Sequence, residues 1–240
     1  MPVRAVTLDA AGTLFTVAEP VGTTYARHAA RHGIALVPAD AERRFRTALT
    51  AAPPLAFPGG DPARRREDER AWWRARVREV FGDTGGGPAF EASFAELFDH
   101  YARPEAWRVY PEVPEALARL RARGRALAVV SNFDARLSGL LDTLGLTPLV
   151  DAVIASTSVG AAKPAAAIFH AAAARLGVAP ADTLHAGDSV ENDVQGARAA
   201  GLRVVLVDRS GRHPVVPSDT SIIATLAELP TVVERVDVAR

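Results

Sequence analysis

The side chains of this sequence that could do chemistry together are Asp9, Ser131, Lys163, Asp188 and Asp193. Asp9 closes the apolar run VRAVTL, Ser131 follows ALAVV, and Asp188 follows LHAG, while Lys163 comes after a further short run and a loop. If those runs are parallel strands, carboxylates, a hydroxyl and an ammonium gather at one sheet edge, where such sheets place their chemistry. Carboxylates from two strand ends can bind a hard divalent cation such as Mg²⁺, and Asp9 and Asp188 are the candidates. Asp193 is expected either to reach that cation through water or to orient Lys163. The lysine would offset carboxylate repulsion and hold an anion, while Ser131 and nearby amides donate to phosphate oxygens. Gly12 and Thr13 are small enough to let amides crowd around Asp9, so they join Ser131, Asn132 and Lys163 as expected substrate contacts. Such a set suits phosphoryl transfer to a carboxylate followed by hydrolysis.

The elements that must position these groups follow from the hydrophobic pattern. From Tyr110 onward short β-branched runs alternate with helical stretches, which predicts βα units and a parallel sheet. Strands are expected at 126–130, 152–155, 184–186 and 204–207, with a weaker one near Ile222, and helices are expected to start near Ala135, Pro164 and Val190. The stretch 114–123 reads as a helix with Pro at its start and Gly124 at its end. Between about residues 17 and 108 no strand is expected. Helical spacing dominates there, interrupted by a Pro/Gly-rich loop at 53–62 and a glycine run at 85–87. The fold class expected is therefore α/β, a Rossmann-like core of residues 1–16 and 109–240 with a helical insertion over 17–108. The stretch 214–218 reads as a loop.

Composition narrows the functional classes. Basic and acidic residues balance at 28 each, so nothing in the global charge points to nucleic acid or an anionic membrane surface. The chain has no cysteine, which removes disulfide frameworks and thiolate metal sites and fits a reducing, cytoplasmic setting. No run approaches the roughly 18 apolar residues of a membrane span. Nearly all basic residues are arginine, and Lys163 is the single lysine.

In order along the chain, LDAAGTL, VVSNFD, AAKPAAAIF and HAGDSVENDVQGARAAG resemble the four motifs of the haloacid-dehalogenase-like (HAD) hydrolase superfamily. The helical insertion after the first motif resembles that family's helical cap of the C1 type. The resemblance implies Asp9 as nucleophile, Ser131 as phosphate donor, Lys163 as charge-balancing lysine, and Asp188 with Asp193 as the acidic metal motif for Mg²⁺. It also implies a small phosphorylated metabolite as substrate.

One position departs from that pattern. Phosphatases of the superfamily usually carry an aspartate where this chain has Ala11, serving as general acid and then general base. Alanine keeps its backbone carbonyl, so a metal ligand at Ala11 survives while the proton shuttle does not. Such a shuttle is worth about 10² to 10⁴ in rate. The expectation is a phosphatase that is slow on alkyl phosphates, has another acid, or is restricted to good leaving groups such as acyl and aryl phosphates. The alternatives are a catalytically impaired relative that binds a phosphorylated metabolite as a scaffold and, less favoured, a 2-haloacid dehalogenase. The dehalogenases resembled here have a tyrosine at this position and no GD-type acidic motif. Phosphonoacetaldehyde hydrolases share the alanine but need a cap lysine, and 17–108 contains none.

The remaining polar clusters read as structural. His28 and His32 are spaced to share a helix face and are expected to pack, although one could supply the missing acid. Trp72 and Trp73 are expected in the core of the insertion, the charged run 64–69 on a solvated helical face, and His185 as a packed strand residue.

Overall fold

The computed structural model describes residues 2–61, 63–211 and 215–238. Its organising element is a six-stranded parallel sheet. The strands are β1 (Ala5–Leu8), β4 (Ala126–Ser131), β5 (Ala152–Ala155), β6 (Thr183–Gly187), β7 (Arg203–Val207) and β8 (Ser221–Ile223). They lie in the order β5-β4-β1-β6-β7-β8. β1 is central, with Leu8 level with Val129 on one side and Ala186 on the other. Because the chain leaves β1 toward β4 and β5 and later returns to β6, the order reverses there, and a crevice opens at the C-terminal ends of β1, β4 and β6.

Strand alternation sorts the core into two faces. Leu127, Val129, Leu184, Ala186, Val205 and Val207 enter one apolar cluster with Leu117, Leu120, Leu137, Leu140 and Val233. Val130, Val204 and Leu206 enter the other with Ile168 and Phe169. The covering helices are α5 (Val113–Ala122), α6 (Arg136–Thr143), the short α7 (Ser156–Val159), α8 (Ala166–Arg175), the short α9 (Gly196–Ala199) and α10 (Leu229–Val238). The helix expected from Val190 differs from a regular one. Val190–Gln195 form a π-helical turn, with the amides of Asp193 and Val194 both bonding the Ser189 carbonyl, before α9 begins. Such turns recur at functional sites because the wider loop re-aims a side chain.

Helices α1 (Val21–Arg31), α2 (Pro38–Thr50), α3 (Arg65–Phe81) and α4 (Gly87–His100) occupy the insertion. They share an apolar cluster of their own, including Tyr25, Val77, Phe81, Phe90, Phe94 and Leu97. The expectation of no strand near its ends is corrected. β2 (Phe15–Val17) pairs antiparallel with β3 (Trp107–Val109), a two-stranded ribbon through which the chain enters and leaves the helices. Three-residue strands carry too little alternation to be seen in sequence. The loop expected at 53–62 is irregular as far as Asp61 and that at 214–218 from Val215; Pro62 and Pro214 lie outside the described residues. Among the described residues no helix is long and apolar enough to cross a membrane.

The charged run at the start of α3 is not wholly solvated. Glu69 is buried, and its Oε1 accepts from the Thr157 hydroxyl at 2.5 Å and the Ala135 amide at 3.1 Å. Trp73 Nε1 donates to Asp134 Oδ2 at 2.6 Å, the Ser156 hydroxyl donates to the Leu55 carbonyl at 2.5 Å, and Arg136 Nη1 donates to the Phe98 carbonyl at 2.7 Å. These bonds dock the helices on the loops that follow β4 and β5. Glu69→Ala removes the acceptor of two buried donors and is expected to cost about 1–3 kcal/mol of stability. Glu69→Gln, which keeps an oxygen, should lose less; urea unfolding midpoints of the variants check both.

Candidate active site

Asp9 follows β1 directly, its amide bonded to the Ala186 carbonyl at 2.9 Å so that the ladder continues one residue past the strand. Ser131 ends β4, buried on the neighbouring strand, and Asp188 follows Gly187 at the end of β6. Lys163 enters from the loop before α8. Its ammonium, almost fully buried, sits 2.5 Å from Asp9 Oδ1 and 2.6 Å from Asp193 Oδ1. The sheet edge thus gathers the residues expected there, and Asp9, Asp188 and Asp193 present carboxylate oxygens within 4.8 Å of one another.

The electrostatics follow from one ammonium among three carboxylates. Burial would push Lys163 down, but Asp193 and Asp9 outweigh it and hold the ammonium charged, above the usual lysine range. Burial pushes Asp193 up, yet Lys163 and the bond from His185 hold it well below the ordinary carboxylate range. Asp9 is raised by burial, against the pull of Lys163. Asp188 makes no ion pair with Lys163, and burial together with the Asp9 and Asp193 charges lifts it to about 7. The surplus of negative charge among oxygen donors, with Asp188 facing solvent, fits a hard divalent cation.

Two glycines make room for these carboxylates. A Cβ on Gly12, whose φ is +92°, would come within 3.0 Å of all three atoms of the Asp188 carboxylate, and one on Gly187 would meet Asp193 Cγ at 2.2 Å. Asp193 is fixed from three sides. Besides Lys163, His185 Nε2 reaches its Oδ1 at 3.0 Å and the Ser189 amide donates to Oδ2 at 2.9 Å. Asp193 thus touches Lys163, one of the two partners expected for it, and also belongs to the acidic cluster. Asp9 and Asp188 have the freer oxygens. The turn after Asp9 bonds through its flanking groups, Phe15 N to the Ala10 carbonyl and Gly12 N to the Phe15 carbonyl, so these bonds do not use the Ala11 carbonyl.

The other residues expected to contact substrate also have partners within the protein. The amides of Gly12 and Thr13 turn inward to the Phe15 and Ala10 carbonyls, at 2.7 and 3.3 Å, and the Thr13 side chain is fully buried. A tight turn needs its own amides. The Asn132 side chain clasps the lysine loop, donating to the Lys163 carbonyl at 2.9 Å and accepting its amide at 2.7 Å.

His185 does more than pack. Strand alternation puts it on the same face as Thr7, whose hydroxyl lies 2.9 Å from Nδ1, and beneath Phe169, so that Nε2 meets Asp193. Arg209 holds the turn after Asp9, donating to the Thr13 carbonyl at 2.8 Å while paired with Glu112 and stacked on Tyr110. Nothing in the sequence marks Arg209, whereas the in-register Thr7 and His185 were available as a signal. His28 and His32 both bond Glu96 of α4 at 3.0 Å, tying α1 to α4, and neither lines the cavity described next.

That cavity, of about 260 Å³, lies between the insertion and the sheet edge. Ala11, Asn132 and Phe133 line it from the core side, and Trp73, Phe94 and Tyr101 are among its walls on the other. Trp73 is therefore a cavity wall as well as a docking residue.

A carboxylate-and-lysine centre at the switch point of a parallel sheet, covered by an inserted helical bundle, defines a hydrolase of the α/β class. The model of haloacid dehalogenase-like hydrolases matches residues 3–201, and the chain belongs to that family. It is 35% identical over 235 residues to haloacid dehalogenase-like hydrolase domain-containing protein 3 of Danio rerio, covering 96% of both chains. It is 38% identical over 153 residues to a phosphoserine phosphatase of Thermus thermophilus, covering 61% of this chain and 60% of that one. Among solved structures, a HAD phosphatase from Thermococcus onnurineus superposes with a TM-score of 0.66 at 28% identity, over 95% of this chain and 97% of that one.

The raised Asp188 has a consequence for stability. An acid lifted from 3.8 to about 7 contributes stability that is present below the lower value and lost as pH rises through the upper one. Asp188→Asn is therefore expected to leave the metal-free protein's melting temperature unchanged near pH 3.8 and to raise it increasingly up to about pH 7, with a plateau above. Thermal scans in chelator across that range check the sign.

Proposed function

We propose that this hydrolase is a Mg²⁺-dependent phosphatase of small phosphorylated metabolites that works through a phosphoryl-aspartate on Asp9. The observation that carries the reading is Lys163, buried and held at hydrogen-bond distance from both Asp9 and Asp193. An Asp9 oxygen attacks phosphorus as the bond to the leaving oxygen breaks, and the leaving group departs with the electron pair. Water then attacks the same phosphorus, releasing inorganic phosphate and restoring the Asp9 carboxylate. Lys163 and Ser131 hold the phosphoryl oxygens, and His185 and Asn132 keep Asp193 and the lysine loop in place. Asp9, Asp188 and the Ala11 carbonyl would hold the cation, with Asp193 supporting the site through Lys163. When bound, Mg²⁺ supplies charge neutralisation at the transferring phosphoryl group.

Ala11 leaves the leaving group without a carboxylic acid at the position next to the nucleophile turn. The expected substrates are phosphates whose leaving groups depart unprotonated, such as acyl and aryl phosphates. The test is turnover with Mg²⁺ over a panel from acetyl phosphate through aryl phosphates to sugar phosphates. Rates no higher than those of Asp9→Asn on every member overturn the reading. Within the same panel Ala11→Asp is expected to raise the rate on alkyl phosphates by up to about 10²-fold while changing aryl phosphates little. Equal gains on both would mean that Ala11 does not set the leaving-group requirement.

A further inference from the structure

The cavity beyond Ala11 has almost no polar capacity left. Its one guanidinium, Arg136, is committed: Nε and Nη2 donate to Asp134 at 2.9 and 2.6 Å, Nη1 donates to the Phe98 carbonyl at 2.7 Å, and the plane lies over the Phe98 ring at 3.8 Å. The Asn132 amide is spent on the Lys163 backbone, Trp73 Nε1 on Asp134, and Trp107 Nε1 on the Tyr101 carbonyl at 3.2 Å. What remains is the Tyr25 and Tyr101 phenols. Burial pushes both up, Tyr101 to about 12, so they are neutral at pH 7. Among the described residues the cavity wall therefore offers no free charge to a second phosphate, a carboxylate or an ammonium.

We propose that this cavity selects phosphates whose leaving group is a compact apolar moiety, a single substituted aromatic ring or a short acyl chain, and rejects those bearing a second charged group. The inference rests on the phosphatase reading and adds the substrate class to it. Desolvating a charged substituent without a partner is costly, whereas each methylene moved from water to apolar wall is favourable. Size agrees: about 260 Å³ exceeds the roughly 150 Å³ apolar cavity that takes benzene. The floor agrees as well. Ala11 is exposed and contributes a methyl group, and no carboxyl, to the wall it shares with Trp73 and Phe133. By this reading neither phosphoserine nor a sugar bisphosphate is the substrate, and a 2-haloacid, whose carboxylate needs a cation, is rejected too.

The test is calorimetric binding of n-alkyl phosphonates from methyl to hexyl, with Mg²⁺, beside phosphoserine, 2-phosphoglycolate and inorganic phosphate. Phosphonates carry the anion without a cleavable ester. Affinity is expected to rise about fourfold per methylene over the first additions, with phosphoserine and phosphoglycolate binding no tighter than inorganic phosphate. Leu49, 44% exposed yet part of the cavity wall, allows a second variant that leaves the core intact. Leu49→Arg should shallow the alkyl series and improve phosphoglycolate binding several-fold. Mg²⁺-dependent phosphonate binding with no chain-length dependence, or phosphoglycolate binding tighter than propyl phosphonate in the unmodified protein, overturns the apolar class alone. No phosphonate or phosphate binding at all, joined to rates equal to Asp9→Asn, overturns the phosphatase reading with it.

Discussion

The ammonium of Lys163 is the group on which the rest of the site depends. It is buried at the meeting point of two carboxylates and is the one cation paired with Asp9 among the described residues. A buried ion pair recovers its desolvation only when the geometry is good and the remaining bonds are made. Here they are. Asn132 clasps the lysine backbone from both sides, and Thr7 holds His185, which with the Ser189 amide holds Asp193. Removing the lysine would leave three acidic groups within 4.8 Å, the arrangement that already lifts Asp188 toward neutrality. Arginine, which fills every other basic position, would not serve as a replacement. Its planar fork is too large for a point contact with two oxygens, and a compact ammonium is what the gap admits.

That centre is assembled by the sheet and closed by the insertion, and the two are linked by the same loops. The turn carrying Ser131 and Asn132 continues into Phe133, Asp134 and Arg136, which meet Trp73 and Phe98 of the helical bundle. The loop after β5 that leads to Lys163 begins with Ser156 and Thr157, which meet Leu55 and Glu69. Any displacement of the helices is therefore felt first by the segments that place the hydroxyl and the ammonium. The insertion keeps its own aromatic core, so it can act as a unit on those contacts and not merely as a loop laid over the site.

Much of this was legible in the sequence because the period of the pattern and the chemistry pointed to the same positions. Short β-branched runs marked the five longer strands, and a polar residue of the right type followed at Asp9, Ser131 and Asp188. What was not legible depends on partners distant in the chain. Glu69 looks like one more charge in a solvated run, and only the docking of α3 on Thr157 and Ala135 buries it. The amides of Gly12 and Thr13 bond the Phe15 and Ala10 carbonyls, a register of the turn that the sequence does not record. The π-helical turn before α9 carries Asp193, which meets Lys163 and His185 at once, an arrangement no local propensity records. Asn132 beside the expected phosphate donor proved to support the lysine, because the lysine loop approaches it from residues far down the chain.

Ala11 ties the chemistry to the shape of the chamber. An aspartate there would be a proton shuttle only if its carboxyl could change charge, and the cavity that Ala11 helps to line is otherwise walled by Trp73, Phe133 and the insertion's aromatic rings. An apolar wall beside it disfavours the carboxylate that must later accept a proton from water. On the proposed reading, a chamber that takes an apolar leaving group and a residue that cycles between charge states would make opposing demands on the same few ångströms. With alanine the conflict is resolved in favour of the chamber. Good leaving groups among phosphates are often those whose oxygen is attached to a ring or a carbonyl, and such groups are compatible with an apolar wall. The loss of the shuttle and the character of the cavity are then two expressions of one choice of substrate.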